Sequence, residues 1–115
     1  MILTVLKSKI HRAKVTGSDL NYEGSITIDK KLMKAADINE FEKVEIYNIN
    51  SGARFSTYVI KGKDAEISLN GAAARLVQKN DLIIIACYAQ IDEKEISNLK
   101  TRIVLVDEHN QEIIK

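Results

Sequence analysis

The side chains with chemistry to offer fall into four stretches: KSKIHRAKVT (Lys7 to Thr16), LNYEGSITID (Leu20 to Asp29), NSGARFSTYVI (Asn50 to Ile60) and LNGAAARL (Leu69 to Leu76). In the second, Gly24-Ser25 lies between two segments of β character and reads either as a turn or as the seat of a serine hydroxyl's chemistry. In the first, Lys7, Lys9 and His11 share one parity, so a regular strand would aim three potential cations at one face. In the third, Arg54 and Tyr58 are four apart and would share a strand face, whereas Thr57 would point the opposite way. Taken singly, Ser25, Arg54, Thr57 and Tyr58 are ordinary structural residues, and a lone serine after a glycine is most simply a turn.

Several chemistries lack their residues. The two histidines, His11 and His109, have no partners at metal-motif spacing, so no metal site is expected. Neither GxGxxG nor GxxxxGK[ST] occurs, and no G-x-S-x-G elbow is present. The single cysteine, Cys87, lies in an apolar run without a nearby cation to activate it, and reads as a small buried hydrophobe. Lys+Arg number 17 against 16 Asp+Glu, with both signs scattered, which argues against a nucleic-acid surface. The longest apolar run, LIIIACYA (Leu82 to Ala89), is far below the roughly 20 residues a membrane helix needs. Charges from Lys7 onward, with no small-residue cleavage site, do not read as a secretory signal, so a cytoplasmic protein without membrane contact is expected.

The elements that must position those side chains are mostly strands. At 115 residues the chain is expected to form one domain. Ile2 to Val15 alternates imperfectly; Ser25 to Asp29 is a short strand; Asp29 suits the N-cap of a two-turn helix over KKLMKAADI. Lys43 to Gly62 reads as a hairpin about the NSG turn at Asn50 to Gly52, and AEISLNG as another strand. Ala72 to Val77 suits one or two helical turns, and DLIIIACYAQ a continuous strand buried on both faces. A charged, helical Glu93 to Leu99 and a strand TRIVLVD follow, with EHNQEIIK as a last hairpin or a frayed end. Six or so short strands with one or two small helices suit a closed barrel, since so short a chain has little else to cover strand edges.

In order and spacing the four stretches resemble aspartate 1-decarboxylase, the bacterial pyruvoyl-dependent family that makes β-alanine for pantothenate and coenzyme A synthesis; the likeness covers roughly residues 1–90. It implies a mainly β fold, a six-stranded double-psi β-barrel, assembled as a homotetramer with active sites between subunits. It also implies cleavage between Gly24 and Ser25 into chains 1–24 and 25–115, with Ser25 becoming a covalent pyruvoyl group, unaided or with a maturation factor. Gly24 suits that step, because without a Cβ it permits a strained backbone and leaves its carbonyl open to attack.

The resemblance also assigns roles. L-aspartate carries two carboxylates, for which Lys9 and Arg54 are the implied partners, a guanidinium being suited to bidentate contact. Gly71, Ala72 and Ala73 would offer backbone N–H groups, Thr57 would serve chain cleavage and substrate contact, and Tyr58 would be the proton donor. His11, Tyr22 and Asn70 lie in the matching motifs and would line the site, His11 equally well from a structural position. Thr57's opposite parity requires a bulged strand, or action through an edge or a neighbouring subunit. Alternatives are a non-catalytic double-psi barrel serving as a binding or adaptor module, and a family member that persists uncleaved.

Overall fold

The period-two pattern of Lys43 to Gly62 folds as expected, into antiparallel strands whose inner side chains, Val44, Ile46 and Val59, are buried. In this computed structural model, which describes residues 1–114, eight strands follow one another as β1 (Ile2–Lys14), β2 (Gly17–Asp19), β3 (Ser25–Asp29), β4 (Lys43–Asn48), β5 (Arg54–Gly62), β6 (Ile67–Asn70), β7 (Leu82–Asp92) and β8 (Arg102–Leu105). One short helix, α1 (Lys30–Ala35), and 3₁₀ segments at Gly71–Leu76 and Glu93–Asn98 complete the chain. Asp29 does cap α1, its carboxylate accepting the Lys31 N–H at 2.7 Å.

The strands hydrogen-bond in the order β2-β6-β3-β5-β4-β7-β1-β8. That ladder does not close by hydrogen bonds alone. Its first member, β2, follows β1 after Val15 and Thr16, so the chain itself joins the two ends of the row. Counting β1 and β2 as one bent strand leaves six around the core, with β8 added outside as a parallel edge, an arrangement compatible with the double-psi barrel. The bend is held where Thr16 N–H donates to the Ile67 carbonyl and Ile67 N–H donates to Thr16 Oγ1, at 2.8 and 3.0 Å. Ile10, Ala13, Val15, Ile26, Ile28, Ile46, Val59, Ile67, Leu69, Ile83 and Ile85 fill the interior.

Three sequence expectations need correction. Lys7, Lys9 and His11 do not lie on one uninterrupted strand face, because β1 carries register shifts between Leu6 and Ser8 and between Ile10 and Ala13. Each adds one residue to β1, and the second contains Arg12 at φ 66°. β7 is not buried on both faces throughout: only Ile85 to Cys87 is continuously buried, and Tyr88 is exposed. β2 was not foreseen, its GSD being turn-like in composition. The tail forms a hairpin-like bridge, Val106 to Glu112, around a turn whose Asn110 is buried and bonds to Lys14 and Ala65; Lys115, the end of EHNQEIIK, lies outside the described residues. Among the described residues, no helix is long and apolar enough to cross a membrane.

Candidate active site

β3 is short and buried along its whole length, and its first residue is Ser25. On one side it pairs antiparallel with β6, matching Ser25 to Asn70; on the other it runs parallel to β5, matching Ile26 to Val59. Ile26 and Val59 point into the core, so Ser25 and Tyr58, each one residue earlier, fall on one rung and on the outer face. Tyr58 in turn pairs with Lys43. Asn70, Ser25, Tyr58 and Lys43 therefore make a polar row across four adjacent strands.

Ser25 is almost wholly buried, at 1% exposure, although it faces outward. Its hydroxyl donates to the Glu23 carbonyl at 3.1 Å and accepts from Asn70 Nδ2 at 2.9 Å. The same amide nitrogen donates to Thr27 Oγ1 at 3.0 Å, so Asn70 fixes two hydroxyls of β3 at once. Gly24, the residue before, is packed against Gly71, where φ is +66° and an added Cβ would lie 2.7 Å from Gly24 Cα. A shallow pocket bounded by Tyr22, Thr27, Lys61 and Asn70 opens beside this cluster. The Gly24-Ser25 pair is thus more than a surface turn: its serine is enclosed and its hydroxyl has both a donor and an acceptor.

Other expected residues lie elsewhere. Arg54 is on the Tyr58 face, four residues away along β5, with its guanidinium 3.9 Å from the centre of the Tyr47 ring. The Tyr47 hydroxyl shares a 2.8 Å hydrogen bond with that of Tyr88, whose pKa is raised by this bond and by burial. Lys9 pairs with Ala86 on β7, and Ala86 with Glu45 on β4, which places Lys9 on the same outer face. Four strand steps separate β1 from β3 along the ladder, and two the other way, through β6 to β2, which continues β1. Lys9, Arg54 and Ser25 thus lie on three different strands, with Lys9 and Arg54 on the outer face that Ser25 also faces.

Thr57 pairs with Val44 in an uninterrupted β4–β5 register and faces inward, half-buried. The bulge that would turn it toward Tyr58 is absent. Gly71 is buried, Ala72 exposed, and Ala73 packs on the core; they open a 3₁₀ segment of six residues. Tyr22 is exposed in the loop before Gly24. His11 is half-buried with Nδ1 unpartnered, and its pKa is lowered by burial and then by Lys9 and Arg12. Cys87 is buried and its thiol is pushed up to about 12, first by burial and then by Glu42, whose Oε2 lies 3.1 Å from Sγ. That agrees with an inert thiol.

Sequence reasoning missed Tyr47, Tyr88 and Lys43. A signal existed for the first two, since β4 and β7 are adjacent and each contributes one tyrosine, but the register that joins them is not legible from either strand alone. Among the described residues, no group of three or more His, Cys, Asp and Glu is placed to hold a metal ion.

A family model described as aspartate decarboxylase matches residues 1–113. Aspartate 1-decarboxylase of Caldicellulosiruptor bescii is 60% identical over 113 residues, covering 96% of this chain and 88% of that one. The enzyme of the same name from Hydrogenobaculum sp. is 58% identical over 106 residues, covering 92% and 85%. That of Sulfurihydrogenibium sp. is 53% identical over 115 residues, covering 98% and 86%. With a family model spanning nearly the whole sequence and relatives matched over most of their own length, this chain belongs to the aspartate decarboxylase family.

Proposed function

We propose that the chain decarboxylates L-aspartate to β-alanine and carbon dioxide, serving pantothenate and coenzyme A synthesis in the cytoplasm, with a pyruvoyl group made from its own Ser25. The observation that carries this reading is the enclosed Gly24-Ser25 pair, its hydroxyl held between Asn70 and the Glu23 carbonyl. The maturation balances without an outside oxidant. Ser25 Oγ bonds to the Gly24 carbonyl carbon, the Gly24–Ser25 amide bond breaks, and the hydroxyl proton ends on the freed amine. Loss of the Ser25 Cα proton and breakage of Cβ–Oγ then release Gly24 as a carboxylic acid, leaving a dehydroalanine that takes up water and gives up ammonia. The products are chains 1–24 and 25–115 of a single barrel domain.

The residues fit the group: position 25 heads a fully buried strand, and the preceding glycine has no side chain to cover it. A pyruvoyl group there would supply the electron sink that lets the substrate carboxylate depart as carbon dioxide. Arg54 and Lys9 hold carboxylates, and Tyr58 Oη returns a proton to the carbon that lost its carboxylate. The backbone of Gly71, Ala72 and Ala73 and the side chains of Tyr22, Asn70 and His11 bound the substrate. A homotetramer with sites shared between subunits is part of this reading. Thr57, inward-facing in its own chain, then acts from the strand beneath the site and not as a direct ligand.

Intact mass spectrometry tests the reading. Purified protein should resolve into chains 1–24 and 25–115, the longer with the mass of a pyruvoyl start. Ser25→Ala should fold, stay uncleaved and release no carbon dioxide from L-aspartate. A full-length mass that survives prolonged warming, with or without cell extract as a source of a maturation factor, overturns it.

A further inference from the structure

Gly71 stands where β6 ends and the 3₁₀ segment begins, 47 positions after Gly24 in sequence yet against it in space. A Cβ built on Gly71 would lie 2.7 Å from Gly24 Cα, 2.8 Å from Gly24 N and 3.1 Å from the Tyr22 carbonyl oxygen. All three are backbone atoms of the segment that delivers Gly24 to Ser25, so no flexible side chain can yield. Asn70, immediately before Gly71, holds the Ser25 hydroxyl, so adjacent residues of one strand end grip the two sides of the same peptide bond.

We propose that Gly71 is a positioning residue for self-cleavage: its missing side chain seats Gly24 so that the carbonyl carbon lies within reach of Ser25 Oγ. The inference rests on the self-processing reading and assigns Gly71 a task separate from contact with substrate. In the step concerned, the Oγ–carbonyl carbon bond forms, the Gly24–Ser25 amide bond breaks, and the hydroxyl proton passes to the released nitrogen. Such an attack depends on near-contact geometry, and a misplacement of about 1 Å costs on the order of a hundredfold in rate. Ordinary contact with a Cβ begins near 3.4 Å, so an alanine at 71 would push Gly24 Cα back by about 0.7 Å.

The positive φ of Gly71 must be separated from its close approach to Gly24. Gly52 supplies the control, because its φ is +80° yet an added Cβ meets nothing within 4 Å. Asparagine supplies the complement, since it tolerates positive φ better than alanine while bringing the same Cβ. The experiment follows appearance of the 1–24 and 25–115 masses in freshly purified precursor of wild type, Gly52→Ala, Gly71→Ala and Gly71→Asn, with folding checked by circular dichroism. Both Gly71 variants should cleave at least tenfold more slowly than wild type, and Gly52→Ala within twofold of it. If Gly71→Ala fails to fold, Gly71→Asn decides alone. Folded Gly71 variants that cleave at the wild-type rate overturn the proposal, as does slowing by Gly52→Ala equal to that at Gly71, or normal cleavage in Gly71→Asn. Wild type that never cleaves overturns self-processing itself, a separate result.

Discussion

Replacing Arg54 by lysine keeps the charge and removes the planar fork, which makes it a sharp test of how this chain would hold a carboxylate. The guanidinium carbon lies over the Tyr47 ring, 3.9 Å from its centre, and Tyr47 is itself held by the 2.8 Å bond to Tyr88. An exposed stack of this kind contributes about 0.5–1 kcal/mol, and one hydrogen bond to a charged group about 1.5–3 kcal/mol. A lysine forfeits the stack and one arm of a bidentate contact. Because Arg54 is solvent-exposed, the lower part of that sum applies, about 2–3 kcal/mol, or roughly thirty- to 150-fold in KM for L-aspartate. Tyr47→Leu should raise KM by only about two- to fivefold, the share of the stack alone. The pair should be less than additive, since lysine at 54 no longer uses the ring. The assay is β-alanine formation against aspartate concentration, in protein shown to be fully cleaved. An unchanged KM in Arg54→Lys, or a Tyr47→Leu effect confined to kcat, would refute the reasoning.

Tyr58→Phe should cleave normally and lose turnover by on the order of a hundredfold, the scale of general acid catalysis, with KM little moved; equal turnover would remove Tyr58 from proton transfer. Asp29→Ala, measured by urea unfolding in a Ser25→Ala background so that the chain stays whole, should cost about 2–4 kcal/mol. It loses the α1 cap and leaves the Ala65 N–H, now 2.8 Å from Asp29 Oδ2, without its acceptor. A loss below about 1 kcal/mol would show that the carboxylate does not hold both segments. Cys87 should resist iodoacetamide at mildly alkaline pH until the protein is unfolded, and rapid labelling of folded protein would contradict its burial. Its thiol ionises in the unfolded chain near 9 and in the folded chain near 12, so stability present at neutral pH should fall as pH rises through that interval.

What the sequence disclosed depended on the range over which each feature is determined. The β4–β5 hairpin, the Asp29 cap and the burial of Cys87 are set by neighbours a few residues away, and period and cap chemistry expose them. The adjacency of Ser25 to Asn70, and of Gly24 to Gly71, is set by how β6 lies beside β3 across some 45 residues, and no local pattern encodes it. The register shifts of β1 escaped for a related reason: Lys7 and Arg12 are unremarkable residues, and only the partner strand β7 reveals that β1 carries an extra residue opposite each gap. The four motifs nominate candidate site residues as a set, whereas the strand that carries each and the face it takes emerge only from the strand order and register.

The residues that would cut the chain belong to strands that meet only after folding, with Asn70 and Gly71 reaching Ser25 and Gly24 from the far side of the β4–β5 hairpin. An unfolded or misfolded copy lacks that meeting and stays an ordinary polypeptide with an ordinary serine. Self-cleavage would then act as a checkpoint on assembly, admitting to chemistry only molecules already correctly built. The 1–24 piece such a cut would create carries Ile10, Ala13 and Val15 in the core and β1 between β7 and β8, so it would stay in place. A reactive carbonyl would arise only on the outer face of a barrel already folded, where Asn70 and Gly71 enclose it.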